Sequence, residues 1–168
     1  MAIETKTFQA FGITYRTRQF SAVEGAGMID SDGNSPQELL KYTEALVDDE
    51  WLRLDNRDNI NLCVIDMASV LPPMAVLRGL CSVINSYSFA FIATWKGVQV
   101  PRRFTGEFKS VSTANSKPMI SQIIQMQAAT LRELEEYYCL EDAFKLFDII
   151  VAKNVNEALA NEAATKDK

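Results

Sequence analysis

The chain has 168 residues, a hydrophobic content of 48% and a net charge of −5, from 17 Lys and Arg against 22 Asp and Glu. This length suits one domain, and the acidic balance opposes nucleic-acid binding because the phosphate backbone requires a basic surface. The absence of histidine excludes Ser-His-Asp and Cys-His catalysis, and the widely spaced Cys63, Cys81 and Cys139 provide no disulfide framework or four-ligand zinc site, which favours a reducing cytoplasm.

The N-terminal segment TKTFQAFGITYRTRQF predicts a β-hairpin within residues 1–20. Two runs of β-branched and aromatic residues flank a turn near Gly12. Ile13 and Tyr15 share one face of the second run, which predicts a half-buried strand. Ser21 and Glu24 have the spacing of a capping box, so a short helix should follow.

A short acidic segment resembles the start of a calcium-binding loop. Asp30, Asp32 and Asn34 match the first, third and fifth ligand positions, but Ser35 replaces the glycine at the sixth and Lys41 the glutamate at the twelfth. We therefore predict no calcium site. Instead, Ser35 has the features of an N-cap, with proline next and glutamate three residues later.

Residues 35–128 are predicted to form a helical core. A helix from Pro36 is indicated by apolar positions at helical spacing, namely Leu39, Leu40, Val47, Trp51 and Leu54. The segment 59–71, NINLCVIDMASVL, is apolar nearly all round, which predicts a short buried helix that the following two prolines end. Further helices are predicted from Pro73 to about Tyr87 and from Pro118 to Met126.

The stretch from Met74 to Trp95 has about the length of a bilayer-spanning helix. Polar residues occur through its middle, where they are costly in lipid: Arg78, Asn85, Ser86 and Ser88. We predict no membrane span.

Residues 89–100 change from helical spacing to alternation. Aromatic and aliphatic residues alternate up to Trp95, and Lys96-Gly97 offers a tight turn. This pattern favours a second small hairpin near residues 89–100, with continuation of the preceding helix to Trp95 as the alternative.

Residues 129–160 predict a C-terminal helix pair. Thr130 and Glu133 have capping-box spacing, and a bend near Cys139 should precede a long helix with an apolar stripe. The stripe is lost from residue 161, which predicts a frayed tail at 161–168. The fold expected is a single α+β domain, mainly α-helical, with the N-terminal β-hairpin and the second small hairpin.

Acidic residues of the C-terminal pair offer carboxylates for acid/base chemistry or a metal. A solvated helix face is the interpretation we favour, because Glu135 and Glu136 are expected to point away from the leucine face. The chain also lacks a glycine-rich phosphate loop and a nucleophile-base pair. We therefore predict a protein that is not an enzyme, with no catalytic, cofactor-binding or metal site.

The charge is uneven along the chain. Residues 96–117 contain five bases and one acid, a net charge of +4, whereas residues 24–58 contain three bases and ten acids, a net charge of −7. This asymmetry favours an acidic partner or self-association of opposite faces over nucleic acid, and an inert uneven surface is the alternative.

Two places combine aromatic residues with charge, as the centres of protein interfaces often do. We interpret them as candidate partner-binding positions rather than catalytic ones. The first group is Trp95, Arg102 and Arg103, and the second is Tyr137, Tyr138 and Glu141.

Two segments resemble a known family and together cover about a quarter of the chain. TFQAFGITYRTRQFSAVE, Thr7 to Glu24, is similar to the opening of tail assembly chaperones of long-tailed bacteriophages. ATLRELEEYYCLEDAFKLFDII, Ala129 to Ile150, is similar to the TL-E-LE--YSLEDA pattern of small phage tail proteins often encoded beside the tape measure gene, with Cys139 in place of the serine.

The resemblance implies a non-enzymatic protein of the infected host cell's cytoplasm that acts in virion assembly. Its implied partners are the tape measure protein, which it keeps soluble, and the tail tube protein, whose subunits it helps recruit. The alternative is a structural component of a phage tail or baseplate, retained in the virion, whose hairpin adds to a neighbour's sheet.

Overall fold

The computed structural model describes residues 3–29, 34–104 and 115–166, and its architecture is α+β and mainly helical, as predicted. The strands are β1 (Thr5–Ala10), β2 (Ile13–Arg18), β3 (Thr43–Val47) and β4 (Glu50–Arg53). The helices are α1 (Ala22–Ile29), α2 (Pro36–Leu40), α3 (Arg57–Cys63), α4 (Pro73–Phe89), α5 (Pro118–Gln125), α6 (Leu131–Glu136) and α7 (Leu140–Lys166).

The predicted N-terminal hairpin is confirmed and forms one half of a four-stranded antiparallel sheet in the order β1-β2-β3-β4. Its two-residue turn places Phe11 at φ 55° and Gly12 at φ +83°, the geometry that matches the natural twist of a hairpin. Ile13 and Tyr15 are buried while the residues between them are half-buried, so β2 has the predicted inner and outer faces.

The helix predicted from Pro36 to Leu54 is wrong beyond Leu40. The chain instead forms a second hairpin, β3 and β4, joined by a turn in which Asp48 and Asp49 have φ values of 48° and 65°. Aspartate tolerates this left-handed conformation better than most residues, and the two-residue turn fixes strand pairing. Burial of alternate residues on the sheet then outweighs the helical spacing of the apolar residues.

All three predicted capping boxes are confirmed. The N-cap oxygens of Ser21, Ser35 and Thr130 accept hydrogen bonds from backbone N–H groups three residues later, at 3.3, 3.2 and 3.2 Å. The glutamates at those later positions accept in return from the N-cap residues. These pairs satisfy N–H groups that the first helical turn leaves without partners, and they fix where α1, α2 and α6 begin.

The hairpin predicted near residues 89–100 is also wrong. Helix α4 runs to Phe89 and a 3₁₀ helix follows at Ala90–Thr94, while residues 95–101 have no regular secondary structure. The ring centroids of Phe91 and Trp95 both lie within 5.5 Å of that of Phe144 on α7. Packing of these rings on a helix replaces the expected alternation across a sheet.

Two apolar clusters make up the interior. The first lies between the inner face of the sheet and α4, and it includes Tyr15, Leu40 and Leu80. The second joins α1, α5, α6 and α7, and it includes Ile123 and Leu134. Phe89, at the end of α4, packs against both clusters.

The short buried helix predicted at residues 59–71 is wrong in its extent and its burial. Helix α3 ends at Cys63, and Cys63 and Val64 are the buried residues of this segment. Every residue from Met67 to Met74 is exposed. The apolar character of residues 67–71 therefore does not reflect burial within the chain.

Helix α4 and the 3₁₀ helix after it, Pro73–Thr94, are together long and apolar enough to cross a membrane by length and composition. The helix buries a stripe, Val76, Leu80 and Ile84, in the first cluster. A core helix of a soluble protein meets the same criteria, so length and composition do not by themselves identify a membrane span.

The C-terminal helices agree with the sequence. Helices α5 and α6 lie where predicted, and a bend at Tyr137–Cys139 precedes α7. The helix α7 continues to Lys166, so residues 161–166 of the segment predicted to fray are helical.

Candidate partner-binding surfaces

Trp95 is half-buried and packs edge-on against two rings. Its centroid lies 5.7 Å from that of Phe91 and 5.5 Å from that of Phe144, with interplanar angles near perpendicular. This edge-to-face arrangement is the favoured one for aromatic pairs. Trp95 therefore fixes the chain after α4 against α7, which leaves only part of its ring for a partner.

Arg103 lies further along the same segment and contacts the distal half of α7. Its guanidinium donates to the Glu162 carboxylate at 3.0 Å and lies 4.9 Å from the Phe104 ring centroid. Both members of this ion pair are partly exposed, so the pair contributes little to stability and mainly orients the Arg103 side chain. Arg102 beside it is exposed.

Tyr137, Tyr138 and Glu141 lie at the bend between α6 and α7. The two tyrosine rings are perpendicular, 5.0 Å apart, and the Tyr137 ring is 50% exposed. Glu141 forms an ion pair with Lys145 at 2.8 Å. The backbone carbonyls of the two tyrosines accept from Ile3 and Ala22 at 2.8 Å, so the bend is tied to the N-terminal part of the chain.

The two predicted groups do not form one site. Glu141 and Glu162 lie near opposite ends of α7, and the helix separates them by about 30 Å at about 1.5 Å per residue. Trp95 packs against Phe144, one helical turn from Glu141, so it lies nearer the second group than Arg103 does. The structure thus separates Tyr137 and its neighbours from the Arg102–Arg103 pair.

Cys139 directly precedes Leu140, the first residue of α7. Its thiol donates to the Asp142 carboxylate at 3.3 Å, and both side chains are buried. Burial raises the pKa of the Cys139 thiol. The thiol is therefore buried and neutral at the start of α7.

The outer face of the sheet holds a shallow cavity of about 410 Å³ lined mainly by charged and hydroxyl side chains. Each of its bases has an acidic neighbour: Arg16 pairs with Glu44, Arg18 and Lys41 with Glu24, and Arg53 with Asp55. This mutual neutralisation disfavours a strong anion site at the cavity.

Two arginines of these ion pairs also lie over aromatic rings. The Arg18 guanidinium lies 3.6 Å from the Tyr42 ring centroid, and that of Arg16 lies 4.2 Å from the Trp51 centroid. The Tyr42 hydroxyl donates to Glu24. Although burial opposes its charged form, this bond and those from Ser21 and Lys41 lower the pKa of Glu24. The face is therefore a closed network of charges and rings.

The acidic residues of α6 are arranged as a solvated face. Glu135 and Glu136 are exposed, and Glu136 pairs with Arg132 at 2.9 Å. Within residues 3–29, 34–104 and 115–166, no three Cys, Asp or Glu side chains are grouped to hold a metal ion. Asp30 and Asp32 of the calcium-like segment lie outside these ranges.

The sequence interpretation missed the most exposed apolar surface of the described chain. Four large apolar residues face solvent in the connection from α3 and at the start of α4: Met67, Val70, Leu71 and Met74. Their sequence signal was an apolar run that continues straight into Pro72-Pro73. No helix could bury such a run across two prolines.

Comparison with protein-family models, with curated proteins and with solved structures finds no match at the thresholds used for any of the three.

Proposed function

We propose that this chain is a non-enzymatic tail assembly chaperone of a long-tailed bacteriophage. It binds the tape measure protein in the host cell cytoplasm, keeps that long helical protein soluble, and helps recruit tail tube subunits. The proposal combines the resemblance at Thr7–Glu24 and Ala129–Ile150 with one structural observation, the exposed apolar surface between α3 and α4.

That surface supports a protein-binding role. Val70 is 77% exposed, Met67 66% and Met74 59%, and all three lie within eight residues. Soluble monomers seldom expose so much apolar area in one place unless a partner covers it. A chaperone must cover apolar stripes of its client before assembly, so a standing apolar surface suits that task.

The two segments that carry the resemblance have the conformations that it implies. Thr7–Glu24 forms the hairpin and the start of α1, and Ala129–Ile150 forms a capped helix, a bend and the first half of α7. The Ala22 N–H donates to the Tyr138 carbonyl at 2.8 Å and joins the two segments, and Ile3, which precedes the first segment, donates to the Tyr137 carbonyl.

A structural component that remains in the virion is the second candidate. Strand β1 lies at the edge of the sheet, and its residues Thr5–Thr7 are exposed. An exposed edge strand can add to the sheet of a neighbouring subunit. This observation favours self-association or docking in a particle.

The experiment that tests the proposal is co-expression with the tape measure protein of the genome that encodes this chain. The expected result is co-purification and a larger soluble fraction of the tape measure protein. The chain with Met67, Val70 and Met74 changed to serine should lose both effects. Ile149→Ser, a change at a 65% exposed position on α7, is the matched control and should retain them.

Purified virions distinguish the two candidates. A chaperone should be absent from them, whereas a structural component should be present in a fixed copy number. Failure to co-purify, together with recovery of the chain from virions, would overturn the chaperone proposal.

A further inference from the structure

The exposed surface between α3 and α4 is fixed in place by the protein itself. We call residues 65–74 the apolar loop. The Asp66 carboxylate accepts hydrogen bonds from the backbone N–H groups of Ala68, Val70 and Leu71, at 3.1, 2.9 and 2.9 Å. The bonds from Leu71, Val70 and Ala68 lower the pKa of Asp66, so the carboxylate stays charged and the loop stays closed around it.

The apolar loop is also attached to the sheet. The Met67 N–H donates to the Phe11 carbonyl at 3.0 Å, across the tip of the N-terminal hairpin. A Cβ at Gly12 would lie 2.8 Å from that of Met67, so the two segments are in close contact. The loop thus presents its side chains on a prepared scaffold, which reduces the entropy cost of binding.

The neighbouring turn supplies negative charge. The register between β2 and β3 brings the β3–β4 turn to the same end of the sheet as Phe11–Gly12. Two strand spacings separate the turns, about 10 Å. Asp48 and Asp49 form that turn, Glu50 begins β4, and all three are exposed. We call these three residues the acidic turn.

We propose that the apolar loop and the acidic turn together bind a basic amphipathic helix of a partner protein. The helix would place its apolar face on Met67, Val70 and Met74 and its lysines or arginines toward the acidic turn. This deepens the proposed function, on which the identity of the natural partner rests. The chemistry of the surface does not depend on that identity.

The geometry favours a helix over an added strand. Three backbone N–H groups of the apolar loop already bond to Asp66 and a fourth bonds to Phe11, so the loop has few donors left for a strand ladder. Recognition must then occur through side chains. Methionine is flexible and polarisable, and it adapts well to the apolar face of a helix.

The charge of the rim favours a basic protein over a membrane. Anionic lipid surfaces attract basic segments and repel acidic ones. The acidic turn lies at the same end of the sheet as the Phe11–Gly12 turn that holds Met67, so it would oppose approach to such a surface and attract a cationic helix. Arg78 on α4 is the base nearest in sequence to the loop, and it follows Met74 by one helical turn.

Two synthetic peptides test the proposal. Both have about 20 residues, with leucine at helical spacing on one face. The lysine peptide has lysine on the other face, and the glutamate peptide has glutamate at every lysine position. Binding to the full chain is measured by fluorescence anisotropy. The lysine peptide should bind at least about tenfold more tightly than the glutamate peptide, and less so as salt rises.

Three variants assign the binding to this surface. Changing Met67, Val70 and Met74 to serine should weaken binding of the lysine peptide by about tenfold or more. The D48N/D49N/E50Q variant should reduce the salt dependence, and asparagine suits the left-handed turn, so its fold is retained. Ile149→Ser is the control and should bind as the unchanged chain does. Circular dichroism verifies that each variant is folded.

Equal binding of both peptides, or binding that survives the serine changes in a folded variant, would overturn the proposal. Absence of peptide binding would do so as well, as would binding to anionic vesicles in preference to the lysine peptide. These outcomes are separate from those of the co-expression experiment. The peptide can bind when the tape measure protein does not, and the reverse.

Discussion

Gly12 illustrates how one residue joins the sheet to the apolar loop. Its φ of +83° is unfavourable for residues with a side chain, and a Cβ there would lie 2.8 Å from that of Met67. We expect Gly12→Ala to lower the free energy of unfolding by about 2 kcal/mol, from the left-handed backbone and the close contact. Urea unfolding measures the change.

Gly27→Ala is the matched control for that measurement. Gly27 lies in α1 with open space around it, so alanine there should raise the stability by about 0.5–1 kcal/mol. Equal effects of the two substitutions on the free energy of unfolding would show that the turn and its contact with Met67 do not contribute to stability.

Tyr15 carries a pH dependence that belongs to the first apolar cluster. Its hydroxyl donates to the Cys63 carbonyl at 2.9 Å, and burial raises its pKa from 10.0 to about 12. Because the folded state favours the neutral phenol, this contribution is complete below pH 10 and is lost as the pH rises toward 12. Stability should therefore decline over that range.

Tyr15→Phe should remove part of this alkaline decline and cost about 1 kcal/mol at neutral pH through the lost hydrogen bond. Thermal unfolding at a series of pH values measures both effects. Tyr137→Phe, at a half-exposed ring, is the comparison and should leave both nearly unchanged. An unaltered alkaline decline in Tyr15→Phe would assign the decline to other groups.

At the scale of elements, the start of α6 depends on one hydroxyl. Thr130 accepts from the Glu133 N–H at 3.2 Å, and its own N–H donates to the Glu133 carboxylate at 2.8 Å. Thr130→Ala should lower the free energy of unfolding by about 1 kcal/mol. Thr130→Ser keeps the hydroxyl and should restore most of it, as chemical denaturation can measure. Loss of stability in both variants alike would point to the methyl group instead.

The same local chemistry explains which elements the sequence predicted. Capping boxes, prolines and a turn glycine act over a few residues, so they locate the hairpin at Gly12 and the starts of α2, α4, α5 and α6 without knowledge of the rest of the chain. Of the candidate positions, Tyr137 is exposed, and its role in partner binding stays a prediction. The ion pair of Arg103 with Glu162 spans 59 residues and has no local signal.

The failures have a common cause in apolar spacing. Val47 and Trp51 fit a helix that continues from Leu39 as well as they fit two strands, and only the pairing of β3 with β2 decides between them. The predicted burial of the residues after α3 was wrong for a different reason. Apolar side chains indicate burial, but a single sequence does not say whether the chain itself or a partner provides it.

At the scale of the whole molecule, α4 links the two apolar clusters. Its buried stripe completes the cluster under the sheet, and Phe89 at its end stacks on Phe20 with ring centroids 5.8 Å apart while also packing against the helical cluster. The apolar loop ends in the first turn of this helix, and the chain held by Trp95 follows it. The apolar loop and the chain at Trp95 are therefore connected to opposite ends of the same helix, α4.

This arrangement predicts that the two clusters unfold as one unit. Trp51 lies on the sheet side and Trp95 on the helical side, so Trp51→Phe and Trp95→Phe leave one fluorescent probe for each cluster. The two probes should give the same urea midpoint, and Phe89→Ala should lower it for both, at a cost of about 3–4 kcal/mol. Leu131→Ala, at an exposed position on α6, is the comparison and should cost well under 1 kcal/mol. Separate midpoints in the unchanged background would show two independent units, and the coupling through Phe89 would then be absent.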